Sequence, residues 1–144
     1  MKNNNVLVID SSVAIKLLYQ LGEDNISQAD LIIKNAQDKG TTLVMPELAR
    51  YEVGNALLYK NLELPILQRL IERFYVLPIR FIPEDLITAQ LTAEIAYVNK
   101  ITYYDASFIS LAIMLKADLV TANPKHQKKK IKGLKVISLK DYRS

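Results

Sequence analysis

Apolar residues fall along this chain in two periods. Short, nearly unbroken apolar runs alternate with longer stretches in which apolar positions recur every three or four residues. Val6–Ile9 is all apolar and rich in β-branched residues, which predicts a strand buried on both faces. Thr42–Met45, Asp118–Thr121 and Lys135–Leu139 predict three more. Between them the helical period appears. Ser11 and Ser12 are N-cap candidates for a helix from about Val13 to Tyr19. Asn25–Lys39 carries Ile26, Ala29, Ile33 and Ala36 at helical spacing and stops at Gly40, a common C-terminal signal. Pro46 is expected to open a helix through about Lys60. Leu64–Tyr75 and Pro83–Lys100 are helical by period, and Tyr104–Lys116 is apolar almost all round, so it should be a buried helix.

Strands alternating with helices predict an α/β fold whose parallel sheet is covered on both faces. No repeat, low-complexity tract or linker interrupts the 144 residues, so residues 1–144 are expected to form one domain. In such sheets ligands gather beyond the carboxyl ends of the strands. The polar residues at those ends are therefore the ones to weigh.

Composition narrows the chemistry. Hydrophobic residues are 50% and charged residues 24%, which excludes a disordered tail protein. There is no Cys, hence no disulfide framework, thiolate metal site or cysteine nucleophile, and a reducing, cytoplasmic compartment is expected. No apolar run reaches ~18 residues, so no membrane span is predicted. Met1–Asn5 leads into only four apolar residues, too few for a signal peptide. One His, His126, excludes sites needing several imidazole ligands.

The net charge of +4 is local. Residues 125–135 hold six Lys and no acid, while the rest of the chain sets 13 basic residues against 15 acidic ones. Lys125, Lys128, Lys129 and Lys130 can hold the phosphates of RNA; a solvated loop is the bland alternative. His126 among them reads as a solvated side chain.

Asp10 ends the first strand, where it either caps the next helix or serves a site. Glu52 shares a helix face with Leu48 and Ala56, and a carboxylate at the edge of an apolar stripe is costly unless paired or metal-bound. Glu47, one turn earlier, is explained by the helix dipole. Asp105 opens the most apolar helix, again as a cap or as part of a site. Asn123 follows the strand Asp118–Thr121, as a turn residue before Pro124 or as a polar group at the sheet edge. Asp118 begins that strand and belongs to the opposite edge. Convergence of Asp10, Glu52, Asp105 and Asn123 would give an oxygen-only donor set, suited to Mg²⁺ or Mn²⁺ and to metal-assisted phosphoryl chemistry. No Gly-rich loop supports nucleotide binding. Ser12 stands where a haloacid dehalogenase-type phosphatase wants a second Asp.

The ordered set Val8–Val13, Pro46–Leu57, Tyr104–Ala106 before Leu111–Ala112, and Asp118–Asn123 resembles PIN-domain ribonucleases of the VapC toxin type, over the whole chain. The resemblance implies a three-layer α/β/α sandwich with a central parallel sheet, and a metal-dependent endoribonuclease. It implies Asp10, Glu52 and Asp105 as ligands of Mg²⁺ or Mn²⁺, with Ser12 and Thr121 as supporting hydroxyls. Asn123 stands where that family usually has a fourth acid. The loss of one negative charge favours a single firmly bound ion, and it keeps in play a catalytically weak or silent PIN-like module that binds RNA or protein. The resemblance further implies a homodimer and a cognate antitoxin. The apolar positions Leu67, Leu70, Ile71 and Phe74 serve either core or interface.

Overall fold

The computed structural model describes residues 5–123 and 130–143. In chain order it holds β1 (Val6–Ile9), α1 (Ser11–Leu18), α2 (Ile26–Lys39), β2 (Thr42–Pro46), α3 (Ala49–Leu58), α4 (Leu64–Val76), β3 (Ile79–Ile82), α5 (Leu86–Asn99), α6 (Tyr103–Leu115), β4 (Asp118–Thr121) and β5 (Val136–Ser138). A single 3₁₀ turn, Leu139–Asp141, follows.

The strands form one parallel sheet in the order β3-β2-β1-β4-β5. The chain steps outward from β1 through β2 to β3, then crosses to the other side of β1 for β4 and β5. Right-handed crossovers then place α1 to α4 on one face and α5 and α6 on the other. The packing agrees: α6 lies on β1, β2 and β4 with α5 against it, while α1 packs with α2, α3 and α4. The result is the α/β/α arrangement expected from the resemblance. The direction of winding reverses between β1 and β4, and that reversal sets the site described below.

β1 is central, and Val8 and Ile9 are wholly buried in it. Burial of each such side chain contributes about 1.5–3 kcal/mol. Phe74 anchors α4 to the core, its ring edge-on to Phe81 of β3 at 5.4 Å between centroids. Leu70 is buried with it, while Leu67 and Ile71 pack against the same cluster, so this stripe of α4 serves the core. Gly40 ends α2 in the left-handed region at φ 67°, as its position in the sequence suggested. Asn35 of α2 donates to the Tyr142 hydroxyl at 3.0 Å, tying the last turn of the chain to the helix layer.

Three expectations are corrected. Pro46 does not open a helix. It is the last residue of β2, opposite Ile82, and α3 begins at Ala49. The ladder continues past it through the Glu47 amide, which donates to the Ile82 carbonyl at 3.0 Å, so the missing N–H of proline costs nothing there. Glu47 accordingly stands in the turn before α3, outside its first helical turn. Neither Ser11 nor Ser12 is the cap of α1. Asp10 is, accepting from the Val13 amide at 3.3 Å. Finally, β3 was not foreseen. It is a four-residue edge strand bracketed by Pro78 and Pro83, with Arg80 exposed, too short to show a period.

Candidate active site

Two strand ends meet at the winding reversal. β1 delivers Asp10 and β4 delivers Thr121, and the Asp10 amide donates to the Val120 carbonyl at 3.1 Å. Asp10 is 3% exposed. A buried carboxylate is costly unless hydrogen-bonded. Here the Ser12 hydroxyl donates to Oδ1 and the Thr121 hydroxyl donates to Oδ2, beside the Val13 amide.

The same two hydroxyls also accept. Ser12 Oγ takes the Ala122 amide at 3.0 Å and Thr121 Oγ1 takes the Asn123 amide at 2.9 Å. Each hydroxyl therefore stitches one backbone amide after β4 to one oxygen of Asp10. This explains why hydroxyl residues occupy both positions: a methyl or an amide side chain cannot donate and accept through one atom. Asp10 thus caps α1 and sits at the sheet edge at once.

Ser11 extends the network to the neighbouring helix. Its hydroxyl donates to Glu52 Oε1 at 3.0 Å. Glu52 is half-buried in the first turn of α3. By sequence Ser11 is only a cap candidate, since its partner lies 41 residues away. No pattern in the sequence marks Arg50. Its guanidinium lies 3.9 Å from the ring centroid of Phe81 and 4.4 Å from that of Tyr75, and Nη1 is buried with no hydrogen-bond partner. Two residues before Glu52, it clamps α3 to α4 and β3 through cation–π contacts worth roughly 0.5–2 kcal/mol each.

Asp105 reaches the same edge by a different route. The cap of α6 is Thr102, whose hydroxyl accepts from the Asp105 amide at 3.0 Å. Asp105 is thus inside the first turn and half-buried, and is not itself the cap. α6 leads into β4 through two residues, so it runs back across the sheet and its first turn faces the carboxyl edge. A cavity of about 430 Å³ shows the same, since Ser107 of α6 lines it with Pro46 and Ile82 at the ends of β2 and β3. Tyr103 donates to Glu84 at this rim at 2.5 Å, and that bond raises the Tyr103 hydroxyl to about 12.

Asn123 is half-buried directly after β4. Asp118 pairs with Lys135 at 3.6 Å at the start of β4, on the far edge from Asp10. Lys125, His126, Lys128 and Lys129 lie outside the described residues; Lys130 is exposed. Among the described residues, no group of three His, Cys, Asp or Glu side chains is arranged to enclose a metal ion. The donor chemistry nonetheless fits a hard cation. Mg²⁺ is commonly held by one or two carboxylates, keeping several of its own waters, and the Asp10–Glu52 edge offers oxygen donors alone.

With this geometry in place, comparison identifies the class. A family model described as the PIN domain matches residues 7–132, and the chain belongs to that family. No curated protein matches the sequence. Solved structures share the fold at low identity. VapBC2 from Rickettsia felis, bound to a DNA fragment from its promoter, superposes with a TM-score of 0.69 at 17% identity, covering 92% of this chain and 98% of that one. A toxin–antitoxin complex from Klebsiella pneumoniae gives 0.64 at 17% identity, with 89% and 94% covered. VapC20 of Mycobacterium tuberculosis, a sarcin–ricin loop cleaving toxin, gives 0.60 at 10% identity, with 78% and 86% covered.

Proposed function

We propose that this protein is a metal-dependent endoribonuclease, the toxin of a toxin–antitoxin pair. The observation that carries the reading is Asp10, buried at the β1–β4 reversal of a PIN domain and oriented by Ser12 and Thr121. Asp10, Glu52 and Asp105 would hold Mg²⁺ or Mn²⁺. Bound there, such an ion would supply an activated water and neutralise charge on the phosphodiester. Ser12 and Thr121 fix the rotamer of Asp10, Ser11 holds Glu52 towards it, and Asn123 positions a water or substrate oxygen. Lys125, Lys128, Lys129 and Lys130 hold the RNA backbone as point charges. A compact cytoplasmic enzyme is consistent with described helices of which none is long and apolar enough to cross a membrane.

Two partners belong to the proposal. The similar structures named as toxin–antitoxin complexes support a cognate antitoxin. A homodimer is supported by α5, whose outer face exposes Leu86, Ile87, Tyr97 and Val98, apolar surface that a second copy would cover. The competing reading, a silent RNA- or protein-binding module, is favoured by Asn123 in place of an acid. One assay decides. Purified protein with single-stranded RNA should cleave in Mg²⁺ or Mn²⁺, stop in chelator and recover on re-addition of the ion. Cleavage undiminished in chelator overturns the metal assignment, and RNA bound but never cut establishes the silent module.

A further inference from the structure

A cavity of about 530 Å³ opens beside Asp10, between α1 and α3. Its inner wall is Ser12 and Ala122, the residues that bond to each other at the strand ends. Lys16, Glu23, Tyr59 and Lys60 line it further out. We infer that this cavity is the subsite for a nucleotide flanking the scissile phosphate, with Lys60 as its phosphate contact and Tyr59 as its stacking surface. The inference rests on the ribonuclease reading and adds a binding site to it.

Three observations carry it. The first is position. Glu52 and Ala56 share one side of α3, and Tyr59 and Lys60 follow directly on its last residue, Leu58, so the cavity wall continues from the helix that carries Glu52. The volume falls in the usual range for small-molecule sites, roughly 300–1,000 Å³.

The second is the division of charge between the two lysines. An ammonium has three donors. Lys16 spends them on Glu23 Oε2 at 2.8 Å, Asp24 Oδ1 at 2.7 Å and the Asp24 carbonyl at 3.1 Å. It is a structural cation, closed to ligands. Lys60 holds Glu23 Oε1 at a looser 3.3 Å and lies 5.1 Å from the Tyr19 ring centroid. Glu23 therefore sits where an anion would bind, already secured by Lys16, and a phosphate can replace it on Lys60 without unpairing it. The third is Tyr59, 76% exposed at the cavity rim, a face on which any base can stack.

The test is a fluorescence-anisotropy titration of a single-stranded RNA octamer, with Ca²⁺ in place of Mg²⁺. Lys60→Gln should weaken binding at least about fivefold and lower the salt slope by about 0.7, the share of one single-strand phosphate. Lys60→Arg should restore the slope. Tyr59→Ala should weaken binding about fivefold or more, the loss of one stacked base. Glu23→Gln should act the other way and tighten binding, because it removes the competing anion while Asp24 still holds Lys16. Wild-type affinity and slope in Lys60→Gln overturn the subsite and leave the ribonuclease reading standing. Wild-type protein that binds no RNA overturns both.

Discussion

Asp10 and Lys16 lie six residues apart, at the cap of α1 and within it, and both are buried, 3% and 7% exposed. Their surroundings differ in kind. Lys16 is met by two carboxylates and a carbonyl, so its charge is cancelled inside the protein. Asp10 is met by two hydroxyls and an amide, which fix its orientation. Opposite charges hold Lys16; the dipoles of two hydroxyls and an amide orient the two oxygens of Asp10. Burial alone, equal in the two cases, does not separate structure from chemistry. The type of partner does.

The largest expected effect is a crossed pair of variants. Asp10→Asn should abolish RNA cleavage while the protein stays folded, because Asn caps a helix as well as Asp does. Lys16→Met should do the reverse. It removes a buried hydrogen-bonded cation, costing about 1–3 kcal/mol, and the folded protein should still cleave RNA. Thermal melts and a cleavage assay on both variants check the crossing, and a Lys16→Met protein that is stable but inactive would break the distinction.

Thr121→Val tests the hydroxyl stitch. The change keeps the shape of the side chain and removes both its donor and its acceptor role, so activity should fall about 10–100-fold, the usual effect of losing the group that orients a metal ligand. A rate within twofold of wild type would show that Ser12 orients Asp10 alone. Asn123→Asp has a smaller effect, on ion binding. A further carboxylate at this edge should lower the Mn²⁺ concentration needed for half-maximal cleavage by several-fold. An unchanged titration would make Asn123 a turn residue only.

The smallest effect is in pH. The hydrogen bond from Lys16 holds the Glu23 carboxyl below its ordinary 4.5, against burial and helped by Lys60. Burial pulls the Lys16 ammonium down, but its bonds to Asp24 and Glu23 together outweigh this and lift it above 10.5. A depressed carboxyl stabilises the fold above its unfolded value and loses that contribution as pH falls through the folded one. A raised ammonium stabilises below 10.5 and loses its share as pH rises past the folded value. The melting difference between wild type and Lys16→Met should therefore be flat from about pH 5 to 10 and shrink on either side. A difference that varies within that window would assign the stability to other groups.

Much of the molecule was legible from its sequence, for a local reason. β1, β4, α2 and α4 each carry their own period or apolar run, and Gly40 marks a stop through its own backbone freedom. The order of strands and helices implied a parallel sheet, and hence an edge where Asp10 and Asn123 would stand. What distant partners decide was not legible. Pro46 ends a strand because Ile82 lies beside it. β3 exists because β2 offers it a ladder, although its four residues show no pattern of their own. Ser11 and Ser12 look like caps until Glu52, 41 residues on from Ser11, and the Ala122 amide, 110 on from Ser12, claim their hydroxyls. The family resemblance alone marks Ser12 and Thr121 as supporting hydroxyls, and the Thr121 bond to Asp10 needs the sheet to bring residues 111 apart into contact. Sequence determines the elements because period and propensity act over a few residues. The site belongs to the tertiary structure, because a hydrogen bond depends on which strand ends meet, and winding direction alone sets that.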